Sequence, residues 1–222
     1  MINHANLVIL TPGHSLTSDY VKSLLSTIAI CAEKGISVAW YNDYASNVFD
    51  AREITINGSP QCSVSQNLPF NGQMTYDKLL WIDSDISWST DDFLKLYNSD
   101  KDIISGAYLS TNGNVMAFKE VLGRPFAYSE ILEKTDLEEI SAAGFGFLCI
   151  KNGVFESLSR PWFQQDEALT FIDGKEESFK ILGEDIAFFS RIKKIGYQVW
   201  LDPTVKVVHT KTMRLTWEGI QP

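Results

Sequence analysis

Two aspartates separated by a single residue stand where an apolar run ends, in "KLLWIDSDISW", and their positions are Asp83 and Asp85. Residues 79–82 read as a buried strand, and in open α/β sheets ligands collect beyond the carboxyl ends of strands. Residues two positions apart on an extended segment project to the same side, so both carboxylates are expected in one crevice. Two carboxylates that close repel each other unless a cation intervenes. A hard divalent ion removes the conflict and keeps positions open for phosphate oxygens. The competing reading is a strand-end turn, because acidic residues are also common turn formers. The nearby "STDD" is of that plainer kind: Ser89 caps a helix, and Asp91 and Asp92 sit in its first turn, where negative charge is favoured.

The formal net charge of −9 over 222 residues speaks against a broad nucleic-acid or anionic-membrane surface. An anionic ligand would need a local positive source, which a metal ion held by Asp83 and Asp85 would supply. The three cysteines, Cys31, Cys62 and Cys149, lack metal-ligand spacing and read as reduced and structural. No stretch reaches the length of a membrane span and the start lacks a basic leader, so a soluble, cytoplasmic protein is expected.

The elements that must position these residues follow from periodicity and punctuation. "NLVILTP" is a buried strand stopped by Pro12 and Gly13. Thr17 or Ser18 caps a helix that Gly35 ends, and residues 36–42 form a second strand, which makes a right-handed βαβ unit. "SNVFDARE" suggests a helix carrying Arg52, followed by turns at Asn57-Gly58 and Asn71-Gly72 with a small hairpin. The central strand, a helix over 89–97 and a strand over 101–109 come next. Residues 113–140 read as short strands, 139–150 as a strand with a glycine-rich middle, and 160–182 as a polar and aromatic loop. A helix over 184–196 and a final pair of strands close the chain. The expected fold is α/β, a single domain with a mainly parallel central sheet and a mixed α+β second half.

Taken in order, "LLWIDSDI", "SAAGFGFLCIKNGVFE", "GEDIAFFSRIKKIGY" and "VWLDPTVKVVHT" resemble the glycosyltransferases of the glycosyltransferase-A fold, over roughly residues 5–210. The likeness is greatest to small stand-alone members from large DNA viruses and phages. The resemblance implies a Rossmann-like nucleotide-sugar-binding half over about 1–110 and an acceptor half over about 111–222. It implies that Asp85 is the direct metal ligand, that Asp83 contacts the ribose and assists at the metal, and that His209 completes the site. An imidazole ligand suits Mn²⁺ better than Mg²⁺, though Mg²⁺ remains open. In inverting members the aspartate of the "GED" motif is the general base, which implies Asp185 here, with Glu184 as acceptor ligand or substitute. The same comparison puts Thr11 and Pro12 beside the nucleobase and Arg52 near the nucleotide, the latter with a surface ion pair as alternative. Lys211 and Arg214 would neutralise the departing diphosphate or form a solvated basic tail. Gly144, Phe145 and Gly146 would make room for sugar or form a core bulge, and Trp162 would stack on an acceptor ring or belong to the core. His4 and His14 lack a context like that of His209, although His14 follows the first strand and could approach the implied nucleotide.

The implied activity is metal-dependent transfer of a sugar from a nucleoside-diphosphate donor, a UDP-sugar by family tendency, to a glycan or other hydroxyl, with inversion favoured. One alternative is a sugar nucleotidyltransferase, but "TPGHSLTSD" has one glycine and no lysine or arginine with which to hold a triphosphate. The other is a non-catalytic nucleotide- or carbohydrate-binding module, distinguished by binding without turnover.

Overall fold

A computed structural model describes residues 3–57, 67–172, 175–212, 214–216 and 219–221, with side chains described through 212 except over 168–180. The nucleotide half runs β1 (Asn3–Pro12), α1 (Ser18–Glu33), β2 (Val38–Asp43), α2 (Val48–Asn57), β3 (Met74–Ile82), β4 (Ile86–Ser87), α3 (Thr90–Asn98) and β5 (Ile103–Ala107). The second half runs β6 (Asn114–Phe118), β7 (Pro125–Ala127), α4 (Tyr128–Ile131), β8 (Glu138–Ile140), β9 (Ala142–Ala143), β10 (Phe147–Lys151), β11 (Asp166–Ile172), β12 (Lys175–Leu182), α5 (Glu184–Lys194), β13 (Val199–Lys206), β14 (Val208–His209), β15 (Arg214–Thr216) and β16 (Gly219–Gln221).

Seven strands form one sheet in the order β2-β1-β3-β10-β5-β13-β8. β1 is parallel to β2 and β3, and β5 to β13, while β10 runs antiparallel to both β3 and β5, and β8 to β13. The sheet is therefore mainly parallel, and β10 joins the two halves by lying between β3 and β5. The apolar runs are continuous because both faces are covered, as expected of such a sheet. Val8, Leu10, Leu79 and Trp81 face the core under Ile56 of α2 and Phe188, Phe189 and Ile192 of α5. Leu7, Ile9, Leu80 and Ile82 face the opposite core with Tyr20, Leu24 and Cys31 of α1 and Phe93 and Leu96 of α3. The period-two alternation of β1 and β3 sorts these residues onto the two faces.

Local signals act as read from the sequence. The Thr17 side chain accepts the Tyr20 N–H, and Gly35, at φ +68, follows the end of α1. Ser89 and Asp92 form a reciprocal capping box on α3. Cys31 and Cys149 are free and buried, and burial pushes both thiols up to about 11. Cys62 and the Asn57-Gly58 turn fall on or beside residues outside those described. Three expectations need correction. Of the described residues within 160–182 only 160–165 form a loop: β11 and β12 beyond them pair antiparallel. The stretch 139–150 is three short strands, because residues 144–146 leave the ladder between β9 and β10. In "PFAYSEIL" only β7 is extended, and a single turn of helix, α4, follows it. No helix among the described residues is long and apolar enough to cross a membrane.

Candidate active site

The carboxyl ends of β1, β3 and β5 open onto one region, and the Asp83–Asp85 segment lies at its centre. The segment is a turn: the Ile86 N–H donates to the Asp83 carbonyl at 3.0 Å, and the Asp83 N–H donates to the Gly146 carbonyl at 3.1 Å. The expected extended geometry is therefore wrong, since a tight turn sends the two side chains to different partners. Ser84, at the tip, is buttressed by the loop after β1. The Thr17 N–H donates to its carbonyl at 3.2 Å, and Gly13 packs so closely that a Cβ there would sit 2.5 Å from Ser84 Oγ.

Asp83 turns inward, with Oδ1 3.6 Å from Arg52 Nη2. Arg52 lies on the inner face of α2, only 4% exposed, and its Nη1 also donates to Glu184 Oε1 at the start of α5. The guanidinium lies 5.0 Å from the ring of Phe145 and 5.9 Å from that of Phe163. Burial raises the proton affinity of Asp83, and Arg52 opposes that. Arg52 is thus a buried bridge between the turn after β3 and the start of α5, and the surface ion pair is excluded. The next residue, Glu53, was not singled out in the sequence. It accepts the Phe163 N–H at 2.7 Å and pairs with Arg160 at 3.2 Å, and so holds the segment that brings Phe163 to Arg52.

Asp85 turns outward. His209, from β14, places Nε2 3.3 Å from Asp85 Oδ2, and Lys211 Nζ lies 2.8 Å from the same oxygen. β14 pairs with β4 directly beyond the turn, and the Thr210 N–H donates to the Asp85 carbonyl at 2.8 Å, which fixes this approach. Burial alone would raise the Asp85 carboxyl, but hydrogen bonds from His209 and Lys211 hold it at about 2. Burial would lower His209, yet Asp85 and the Leu109 carbonyl outweigh it and keep the imidazole above its ordinary value.

These donors suit a divalent metal. His209 Nδ1 lies 2.7 Å from the Leu109 carbonyl, which can only accept, so Nδ1 carries a proton and a neutral ring presents a bare Nε2 to the carboxylate. Two acceptors facing each other require a proton or a cation between them. Four carboxylates, Asp83, Asp85, Glu184 and Asp185, meet two permanent cations, Arg52 and Lys211. Among the described residues no group of three His, Cys, Asp or Glu side chains is set to enclose an ion. Asp85 and His209 supply two donors, and an ion held there would take its remaining positions from water or phosphate oxygens.

Glu184 and Asp185 begin α5, where Gly183 provides no side-chain cap. Asp185 Oδ1 accepts the Ile186 N–H at 2.7 Å, and burial raises its carboxyl despite the opposing Arg52. Glu184 is committed to Arg52, so of the two only Asp185 keeps a carboxylate without an ion-pair partner at 4.0 Å or less among the described residues.

The remaining sequence candidates divide differently from expectation. Trp162 is fully buried and donates to the Phe155 carbonyl at 3.0 Å, so it has no face to offer an acceptor. Phe145 is equally buried and forms the wall against Arg52. Gly144 and Gly146 leave room for Tyr108 rather than for sugar, since Cβ atoms there would come within 1.9 Å of its Oη and 2.6 Å of its Cζ. Tyr108 Oη accepts the Gly146 N–H at 3.2 Å, and its ring meets His209 edge to face at 5.5 Å. Tyr108 and Leu109 therefore orient His209, and their signal, the end of "IISGAYL", is legible only once β5 is known to stop beside the end of β13. Thr11 and Pro12 are buried, and Thr11 is consumed: Asn42 Nδ2 takes its carbonyl at 2.8 Å, and Trp40 and Tyr20 take its hydroxyl. The exposed groups beside them are His14 and Tyr44, edge to face at 5.0 Å. The Arg214 side chain lies outside those described.

No protein-family model matches the chain, and no curated protein sequence matches it. Solved structures do. A197 from STIV superposes with a TM-score of 0.55 at 17% identity, covering 95% of this chain and 98% of that one. GalNAc-T7, solved with UDP, GalNAc and Mn²⁺, superposes with a TM-score of 0.52 at 13% identity over 94% of this chain, which spans 44% of that protein's chain. At such identities the likeness concerns architecture, and together with the sheet order it establishes that this chain has the glycosyltransferase-A fold.

Proposed function

We propose that the protein transfers a sugar from a nucleoside-diphosphate sugar, a UDP-sugar in the first instance, to a hydroxyl of a glycan acceptor, with Mn²⁺ bound at Asp85 and His209. The observation that carries this reading is the convergence of Asp85 Oδ2 and His209 Nε2, 3.3 Å apart, at the carboxyl end of β3 on this fold. The structure of GalNAc-T7 with UDP and Mn²⁺ supports a donor and metal of this kind. When bound, the metal would supply Lewis-acid stabilisation of charge on the leaving diphosphate.

The chain's own residues then divide the work. Arg52 holds Asp83 at the inner wall, where its carboxylate can accept from a ribose hydroxyl. His14 and Tyr44 offer aromatic surface to the base, and Lys211 and Arg214 offer positive charge to the diphosphate. Asp185 takes the proton from the acceptor hydroxyl as that oxygen bonds to the anomeric carbon and the bond to diphosphate breaks from the opposite face, which inverts the centre. A half-buried carboxylate with raised proton affinity is a stronger base, so the environment of Asp185 suits the role while it remains ionised.

The test is to incubate the protein with a panel of UDP-, GDP-, CDP- and dTDP-sugars, Mn²⁺ and mixed glycan acceptors, and to follow nucleoside diphosphate release. Acceptor-dependent release from one donor, lost with EDTA, is the expected result. Pyrophosphate release from a nucleoside triphosphate and sugar phosphate would replace this reading with nucleotidyl transfer. Binding without turnover would leave a recognition module.

A further inference from the structure

The outer oxygen of Asp85 has two claimants besides a metal. Lys211 Nζ, at 2.8 Å, and His209 Nε2, at 3.3 Å, both address Oδ2. The backbone that carries them is fixed by the pairing of Val208 and His209 with Ser87 and Ile86 and by the Thr210 hydrogen bond to Asp85. The lysine side chain is the free part: it is 45% exposed, and its one described polar partner is Asp85. A flexible four-carbon stem lets its ammonium move while the main chain stays in place.

We infer that Lys211 is an exchangeable internal cation, which occupies Asp85 in the donor-free protein and moves to the diphosphate when metal and nucleotide arrive together. This inference rests on the donor site proposed above. A divalent ion on Asp85 Oδ2 and His209 Nε2 must displace the ammonium from the oxygen they share. Metal alone then binds against a resident positive charge, and the displaced ammonium gives up its one described carboxylate partner. Metal with a nucleoside diphosphate binds without that penalty, because the phosphate oxygens receive the ammonium. Lys211 therefore makes the two ligands cooperative, and by thermodynamic reciprocity each raises the affinity of the other by the same factor. The free ion would be taken up poorly and the metal–nucleotide pair well, which makes the site selective for the pair.

The experiment compares wild type with Lys211→Met, which keeps the stem and removes the charge. Free Mn²⁺ is read by its electron paramagnetic resonance signal, first with protein alone and then with UDP, GDP, CDP and dTDP in turn. Lys211→Met is expected to bind Mn²⁺ alone about tenfold more tightly than wild type, a change of about 1.4 kcal/mol. Nucleoside diphosphate, with Mn²⁺ saturating, is expected to bind the variant several-fold more weakly. The coupling between the ligands shrinks accordingly. Unchanged or weaker binding of Mn²⁺ alone by a folded Lys211→Met protein overturns the exchange. If Mn²⁺ binding persists in that case and is lost in Asp85→Ala, the donor site stands and the lysine exchange alone is wrong. If neither protein binds Mn²⁺ under any condition, both fail together.

Discussion

The two ends of the Asp83–Asp85 turn face different worlds. The inner end is closed: Arg52 ties Asp83 to Glu184 between the rings of Phe145 and Phe163. The outer end is open: Asp85 meets His209 and Lys211 from β14 and the segment after it, with the lysine half exposed. Buried ion pairs are kept only where each charge is matched, and loss of one partner strands the others. Exposed pairs contribute little and can be exchanged. The closed end therefore fixes the geometry on which the two halves agree, and the open end is where a ligand can change the partners.

The largest effect is expected at the closed end. Arg52→Met leaves the partly buried Asp83 and Glu184 without their cation, and should destabilise the fold by about 3 kcal/mol, the low end of the cost of breaking a buried pair, measured by denaturant titration. A loss below 1 kcal/mol would show that the closed end is not the structural bridge described here. Next comes Asp185→Asn, which should leave the fold and nucleotide binding intact while lowering kcat by about 10²–10⁴-fold. If Glu184→Gln gives the larger kcat loss with unchanged stability, the roles assigned to the two neighbours are reversed. Gly146→Ala sets a methyl 2.6 Å from Tyr108 Cζ, and overpacking of this kind costs about 1–3 kcal/mol. Its sharper consequence is misalignment of His209, read as weaker Mn²⁺ binding than in a surface variant of equal stability.

The smallest effect is a pH dependence at the open end. The folded imidazole of His209 titrates above its ordinary value of about 6.5. Its pairing with Asp85 thus stabilises the metal-free protein fully below that value, and the contribution is lost as pH rises through the folded value. In EDTA the thermal midpoint should therefore fall slightly from pH 6 to 8, and flatten in His209→Gln. In Mn²⁺ the trend should reverse, because the ion requires the neutral ring. A midpoint in EDTA that rises over this window, with the rise removed by His209→Gln, would contradict the assigned pair.

Much of this was legible in the sequence where a signal is local. Pro12 and Gly13 stop β1, Ser89 and Asp92 cap α3, and the apolar periods of β1 and β3 fix both faces of the sheet. Motif order points to Asp83, Asp85, Arg52, Asp185, His209 and Lys211, and Arg52, within α2, bridges to the turn after β3 and the start of α5. What was not legible depends on packing across the chain. A glycine pair reads alike whether it makes way for a ligand or for Tyr108. Trp162 and Phe145 read as acceptor surface or as core, because aromatic rings serve both purposes. The spacing of Asp83 and Asp85 implied a shared side only if the strand continued, and the Asp83–Ile86 hydrogen bond ends it. The antiparallel insertion of β10 beside β3 is a long-range pairing, and no local pattern announces it.

The most direct test of the central claim is the thermal midpoint with UDP, GDP, CDP and dTDP, each with Mn²⁺ or EDTA, in wild type and Asp85→Ala. A ligand that binds only the native state raises the midpoint by mass action, by about 2.7 kcal/mol of stability at a hundredfold excess over Kd. The midpoint is expected to rise with one diphosphate, to need Mn²⁺ for the rise, and to stay unmoved in Asp85→Ala. A folded wild-type protein whose midpoint moves with none of the four, with or without metal, would contradict that claim and leave the Asp83–Asp85 segment as a turn between a strand and its helix.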